Sequence, residues 1–269
     1  MKVFIFGLGH LSRFIVNETA KDFALEGTWR TEKPGFDKVS KKIQFSAGDK
    51  FPKEIKKNYD WVLWSFPPVE NYKKALEQAN EHFDKDVPWV FVSSTSVYSK
   101  GLVNEESKRD GTRFRGENLI EIEDLLYSFK RPVSIIRPSG LVDEKRNPKN
   151  FFKSSDKKVP IKGENLNLVN TKDVARFIKY VMDNNLKNED FNLSAPKEYE
   201  KSFFYKSLSE LYNEEAPKFS ESDIENSKKI DSTKAINAGF KYEYVDLLDF
   251  YKELAEKSSL NKESSCDQK

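Results

Sequence analysis

Residues 3–12 read Val3-Phe4-Ile5-Phe6-Gly7-Leu8-Gly9-His10-Leu11-Ser12, and the fold turns on how this stretch is understood. A short apolar run stopped by glycine is the pattern of a buried strand, and residues 11–23 then place Leu11, Phe14, Ile15 and Phe23 at helical spacing. Between strand and helix, Gly7-x-Gly9-x-x-Ser12 is a G-x-G-x-x-G pattern with serine in the last place. In such a turn the first glycine permits the tight reversal and the second lets backbone approach a pyrophosphate. A small third residue lets the helix pack close to the strand with its N-terminus facing the anion. An ordinary turn is the competing reading, but the strand-to-helix position favours dinucleotide binding. Gly7, Gly9, His10, Leu11 and Ser12 are therefore candidate cofactor contacts, with His10 touching either phosphate or solvent.

Outward from this stretch, further apolar runs occupy residues 24–29, 43–45, 61–64, 89–93 and 133–136. Helical patterns lie between them: residues 70–83 carry Tyr72, Leu76, Ala79 and Phe83, and residues 116–129 carry Leu119, Ile122, Leu125, Leu126 and Phe129. Near-continuous apolar strands alternating with amphipathic helices predict an α/β, Rossmann-type doubly wound parallel sheet. After Pro138 the regularity breaks. Residues 143–168, rich in Lys, Asn, Pro and Gly, read as a long connection; 173–182, 202–212, 232–238 and 246–257 read as helices, and 191–193 as a short strand. The expected organisation is a Rossmann core over residues 1–142, a small C-terminal substrate lobe over 143–256 with elements returning to the core, and a disordered tail over 257–269.

Composition narrows the function. A chain of 269 residues with 37% hydrophobic and 13% aromatic residues has enough apolar surface to form a core. Its 46 Lys and Arg nearly cancel 44 Asp and Glu, leaving +2, so no general attraction to nucleic acid or anionic membrane is expected. The single Cys266 and the pair His10 and His82 offer no disulfide framework, no metal cluster and little for Ser-His-Asp hydrolysis. No run approaches the roughly 20 apolar residues of a membrane span. The short N-terminal apolar run is wrongly flanked for a signal peptide, so a cytoplasmic location is expected.

Past the second strand, where an NAD enzyme would place Asp or Glu for the ribose hydroxyls, the chain has Thr28-Trp29-Arg30-Thr31. The planar fork of Arg30 suits a 2′-phosphate, so NADP (NADPH) is favoured over NAD; the alternative is a plain surface cation. Ser65, Phe66 and Pro67 follow the fourth strand, where backbone can lie beside the ribose and nicotinamide. The fifth strand ends in Ser93-Ser94-Thr95-Ser96-Val97-Tyr98, a run of hydroxyls at a strand's carboxyl end, which is either an ordinary turn or part of a ligand site.

Taken in order, Gly7-x-Gly9-x-x-Ser12, Gly27-Thr28-x-Arg30, Ser65-x-Pro67-Pro68, Ser93-Ser94-x-x-Val97-Tyr98, Arg137-Pro138-x-Gly140 and Val169-Asn170-x-x-Asp173-Val174-Ala175 resemble the extended short-chain dehydrogenase/reductases. The likeness is to the NAD(P)-dependent epimerase/dehydratase superfamily, in particular its small atypical members, over residues 1 to 255. It implies an NADP-binding core, with Ser93 beside the cofactor and Ser94 as the catalytic hydroxyl that bonds a substrate oxygen. The family's Tyr-x-x-x-Lys acid/base dyad is absent: anchored on Glu123, its places fall on Arg115 and Leu119. Tyr127 and Arg131 have the spacing but lie at the far end of that helix. Substitutes are Tyr98 as proton donor, or as a structural residue, and Arg115 as a fixed cation; Lys108 and Glu117 are more remote.

Two functions follow. One is an NADP-dependent oxidoreductase or sugar-epimerase-type enzyme acting on a hydroxyl or carbonyl carbon of a small polar substrate, the other a non-catalytic NADP(H)-binding sensor or regulatory protein. A nucleotide module without nicotinamide is a third. Substrate contacts are expected after residue 143, with Asn150, Phe151 and Phe152 as candidates, and pairing through the 116–129 helix would make a homodimer.

Overall fold

The structure is a computed structural model that describes residues 1–112, 116–151, 164–219 and 227–266, with side chains to residue 257. In chain order its first elements are β1 (Lys2–Phe6), α1 (His10–Thr19), β2 (Ala24–Trp29), β3 (Lys41–Gln44), β4 (Trp61–Trp64), α2 (Tyr72–His82) and β5 (Trp89–Val92). Then come β6 (Gly101–Val103), α3 (Gly116–Ser128), β7 (Val133–Pro138), β8 (Gly140–Val142), β9 (Asn165–Leu166), β10 (Leu168–Asn170) and α4 (Thr171–Asp183). The chain closes with β11 (Asp190–Leu193), β12 (Tyr199–Glu200), α5 (Lys201–Leu211), β13 (Lys228–Ile230), α6 (Thr233–Asn237) and α7 (Leu247–Cys266).

Two compact units divide these elements. The first comprises Met1–Ser99, Glu105–Pro138 and Val174–Asn192, and the second Lys100–Asn104, Ser139–Asp173 and Leu193–Lys269. The first unit is built on a seven-stranded sheet in the order β11-β7-β5-β4-β1-β2-β3. Its strand pairs from β3 to β7 are parallel. β11 runs the same way, since its backbone partners on β7 rise together, from Glu189 with Ile135 to Leu193 with Ser139. The strand order reverses between β1 and β4, which is where open α/β sheets bind ligands at their carboxyl edge.

The core explains the apolar runs. All of Trp61–Trp64 and Val133–Pro138 are buried, as strands covered on both faces must be. Phe6 stacks on Trp64 at 4.0 Å, and Phe4, Tyr59, Phe83 and Trp89 continue the aromatic layer. α1 stops at Thr19 rather than 23, because the N–H groups of Asp22 and Phe23 both turn back onto the Thr19 carbonyl and deliver Phe23 to the core. The β2–β3 and β3–β4 connections contain no helix; Phe36, Val39 and Ile55 bury the face a helix would have covered.

In the second unit β8 pairs with β10 and β6 with β13, both parallel, while β9 and β12 run antiparallel. Val142, Leu168, Phe204, Leu208, Leu247, Leu248 and Tyr251 make its core. Helix α7 runs to Cys266. Among the described residues no helix is long and apolar enough to cross a membrane, and no His/Cys/Asp/Glu group could hold a metal ion.

Candidate functional site

Because β2, β1, β4 and β5 are parallel neighbours, the residues that follow each of them emerge at one edge of the sheet. Gly7, Arg30, Ser65 and Ser93 are those residues. Gly7 has φ +95°, and a Cβ there would come within 2.6 Å of the Phe66 Cβ, so only glycine fits. The turn is tied to the neighbouring strand by the Gly7 N–H to Thr28 Oγ1 (3.1 Å) and the Leu8 N–H to the Thr28 carbonyl (2.7 Å). Gly9 caps α1 without a side-chain hydrogen bond, and the first helical turn holds no carboxylate. A Cβ on Gly9 would meet nothing nearer than the Gly7 carbonyl oxygen at 3.9 Å, so its surface is open where an anion would lie.

Ser12 does more than stay small. Its hydroxyl lies 2.6 Å from both the Gly7 carbonyl oxygen and Ser65 Oγ, and Ser65 Oγ also donates to the Gly7 carbonyl at 3.0 Å. The third position of the motif thus fastens the helix to the ends of β1 and β4. Phe66, half-buried, packs against Tyr72 at 4.6 Å, and Pro67 beside it is exposed. Leu11 is buried against the sheet; His10 is half-buried with its ring 5.5 Å from Phe14. Arg30 and Thr31, just beyond β2, are both exposed.

At the end of β5, Ser94 Oγ accepts the Ser96 N–H at 3.1 Å and caps the 3-10 turn Thr95–Val97. Ser93 is turned inward: its hydroxyl donates to Glu123 at 2.5 Å rather than facing the carboxyl edge. Glu123, fully buried, also accepts from Arg137 (3.0 and 2.8 Å) and Arg109 (3.2 Å). Arg137 donates to the Tyr98 hydroxyl at 3.1 Å, and that hydroxyl donates to Asn192 at 3.2 Å. Burial pushes the Tyr98 phenol above its ordinary value, with Arg137 opposing the shift. The roles of Arg109 and Asn192 carried no sequence signal, because each depends on a partner brought from a distant segment.

The dyad positions are equally informative. Leu119 packs in the core at 5% exposure, and Arg115 lies outside the described residues. Tyr127 and Arg131 have separate sets of partners. The Tyr127 hydroxyl bonds Asp190 and accepts from Arg137, whereas Arg131 donates to the carbonyls of Asn80, Phe83, Asp84 and Val87 and lies over Trp89 at the amino edge. Lys108 and Glu117 are exposed. In the second unit Asn150 and Phe151 are exposed, and Phe152 falls outside the described residues.

No protein-family model matches the sequence, and no curated protein does. Solved structures match over nearly the whole chain. A conserved protein of unknown function from Silicibacter pomeroyi is 16% identical, with TM-score 0.76, covering 97% of this chain and 98% of that one. A short-chain dehydrogenase/reductase superfamily protein from Agrobacterium tumefaciens, solved with NAD, is 16% identical, with TM-score 0.74 over 98% of this chain and 100% of that one. A human epimerase family protein, solved with NADPH, is 14% identical, with TM-score 0.70 over 95% and 99%. These likenesses show the fold: the chain has the Rossmann-type α/β fold of short-chain dehydrogenase/reductases and NAD-dependent epimerase/dehydratases.

Proposed function

We propose that the first unit binds NADP(H) across the carboxyl ends of β2, β1, β4 and β5. The protein would use it for oxidoreductase or epimerase-type chemistry at a hydroxyl or carbonyl carbon of a small polar substrate. The observation that carries this reading is the open, carboxylate-free start of α1 at the point where strand order reverses. Backbone groups of Gly7, Gly9, His10, Leu11 and Ser12 would hold the pyrophosphate. Arg30 and Thr31 would meet the 2′-phosphate, and Ser65, Phe66 and Pro67 would flank the ribose. Bound there, the cofactor supplies the hydride transfer. Ser94 is the hydroxyl at the carboxyl edge suited to orient a substrate oxygen. Ser93 and Tyr98, committed to Glu123 and to Arg137 and Asn192, would hold the turn that presents it. Proton transfer would then fall to solvent.

Burial of Leu119 favours a second reading, an NADP(H)-binding sensor without turnover. Assay of NADPH oxidation against a panel of aldehydes, ketones and nucleotide sugars separates the two. An enzyme is expected to turn over at least one class, and S94A should lower kcat by about 10- to 100-fold while NADPH affinity changes little. NADPH binding without turnover across the panel assigns the sensor, and no binding of either pyridine nucleotide refutes both.

A further inference from the structure

The second unit holds a hollow of about 310 Å³ whose lining comes from segments of that unit alone. Strand register builds it. Leu102 on β6 stands opposite Lys229 on β13, so both side chains leave the same face of that parallel pair. The other side of β13 is held by a side chain in place of a strand. Asn167 donates from Nδ2 to the Lys228 carbonyl at 2.7 Å and accepts the Ile230 N–H at 3.0 Å, which brings β9 and its partner β12 alongside. The segment after β11, with Ala195, Pro196 and Glu198, closes one wall, and Ile236 of α6 stands at another.

Two properties of the lining point to a ligand. Its apolar members run from floor to mouth: Ala195 and Ile230 are buried, whereas Leu102 is 70% and Ile236 44% exposed. Large apolar side chains left open around a hollow with an apolar floor mark a binding site better than the same residues scattered on a convex surface. The charged members are Glu198, Lys229 and Asp231. Lys229 Nζ pairs with Glu198 at 2.8 Å. Asp231 accepts the Thr233 N–H at 2.8 Å, and the Thr233 side chain and N–H hold its carboxyl below the ordinary value, so it is ionised at neutral pH. One cation among two carboxylates leaves the lining with an excess negative charge, which attracts a cation and repels an anion.

We propose that this hollow binds a small apolar amine, its ammonium held by Glu198 and Asp231 and its hydrocarbon body laid over Leu102 and Ile236. Calorimetric titration of the full chain at pH 7 with isopentylamine and phenethylamine tests it, with isopentanol and isovalerate as the uncharged and anionic counterparts. The amines are expected to bind with a dissociation constant of about 1 mM or below, and the alcohol and the carboxylate at least about tenfold more weakly. The double variant L102S/I236S, which removes the apolar mouth, should weaken the amines by about tenfold. E198Q should weaken them by about threefold, a modest loss because the carboxylate is exposed. All three changes are at exposed positions and should leave the melting temperature within about 2 °C of the parent. Absence of amine binding overturns the proposal, as does an alcohol or carboxylate that binds as tightly as the amine, or unchanged amine affinity in either variant. None of these outcomes depends on nucleotide binding by the first unit.

Discussion

Glu123 shows how one residue can hold a site it never faces. Its buried carboxylate gathers Ser93 from the end of β5, Arg137 from the end of β7 and Arg109 from the segment before α3. Arg137 is itself 1% exposed and passes the link on to Tyr98. Removing one partner of such a pair leaves a buried charge with too little compensation. E123Q is therefore expected to cost about 3 kcal/mol, which for a chain of this size lowers the melting temperature by roughly 10 °C. Replacing both partners in E123L/R137M should be milder than either single change, because no buried charge is then left unpaired. Thermal melts of the three variants check this, and a double variant worse than both singles would contradict it. Sequence identified Glu123 only as a register mark and Ser93 as a cofactor contact. The hydroxyl's inward turn became visible only when α3 and β7 were packed beside it.

Within the element β1-turn-α1, the requirements are local, so they were legible from the residues alone. Gly7 needs a positive φ and tolerates no Cβ against Phe66, whereas Gly9 has open space where its Cβ would be. G7A should therefore lose stability, by about 2 kcal/mol, together with nucleotide binding. G9A should stay within about 0.5 kcal/mol of the parent and lose binding alone. Chemical unfolding paired with NADPH titration distinguishes them, and equal stability losses would refute the assignment of strain to Gly7. The serine at the third position read as merely small. Its bridge to Ser65 depends on β4 lying next to β1, a pairing made across more than fifty residues of chain. Tyr127 and Arg131 make the converse point: their spacing imitates the dyad, but Arg131 lies beyond the end of α3 and is spent on the carbonyls of Asn80, Phe83, Asp84 and Val87, while the Tyr127 hydroxyl bonds Asp190 and Arg137.

At the scale of the whole molecule, pH reports on a group in the second unit. Lys228 on β13 is lowered from its ordinary value to about 8, first by burial and then by the nearby charge of Lys201. Below that pH both folded and unfolded chains carry the proton, and the folded state bears the cost of a poorly solvated charge. Between about 8 and the ordinary lysine value of 10.5 the unfolded chain holds the proton more tightly, so this group makes stability rise with pH. K228M should be more stable than the parent at pH 7, by about 1–2 kcal/mol for a partly exposed site, with the difference shrinking towards pH 10. Urea unfolding at the two pH values measures it, and a difference that grows with pH would overturn the assignment. The sequence by itself determined the parallel sheet and the glycine turn, because apolar periodicity and backbone dihedral needs are written within a few adjacent residues. Tertiary structure alone decided which hydroxyls face the edge and which are spent on Glu123. It also decided that Leu102 and Ile236 line one hollow, since such contacts join segments whose separation along the chain says nothing of their separation in space.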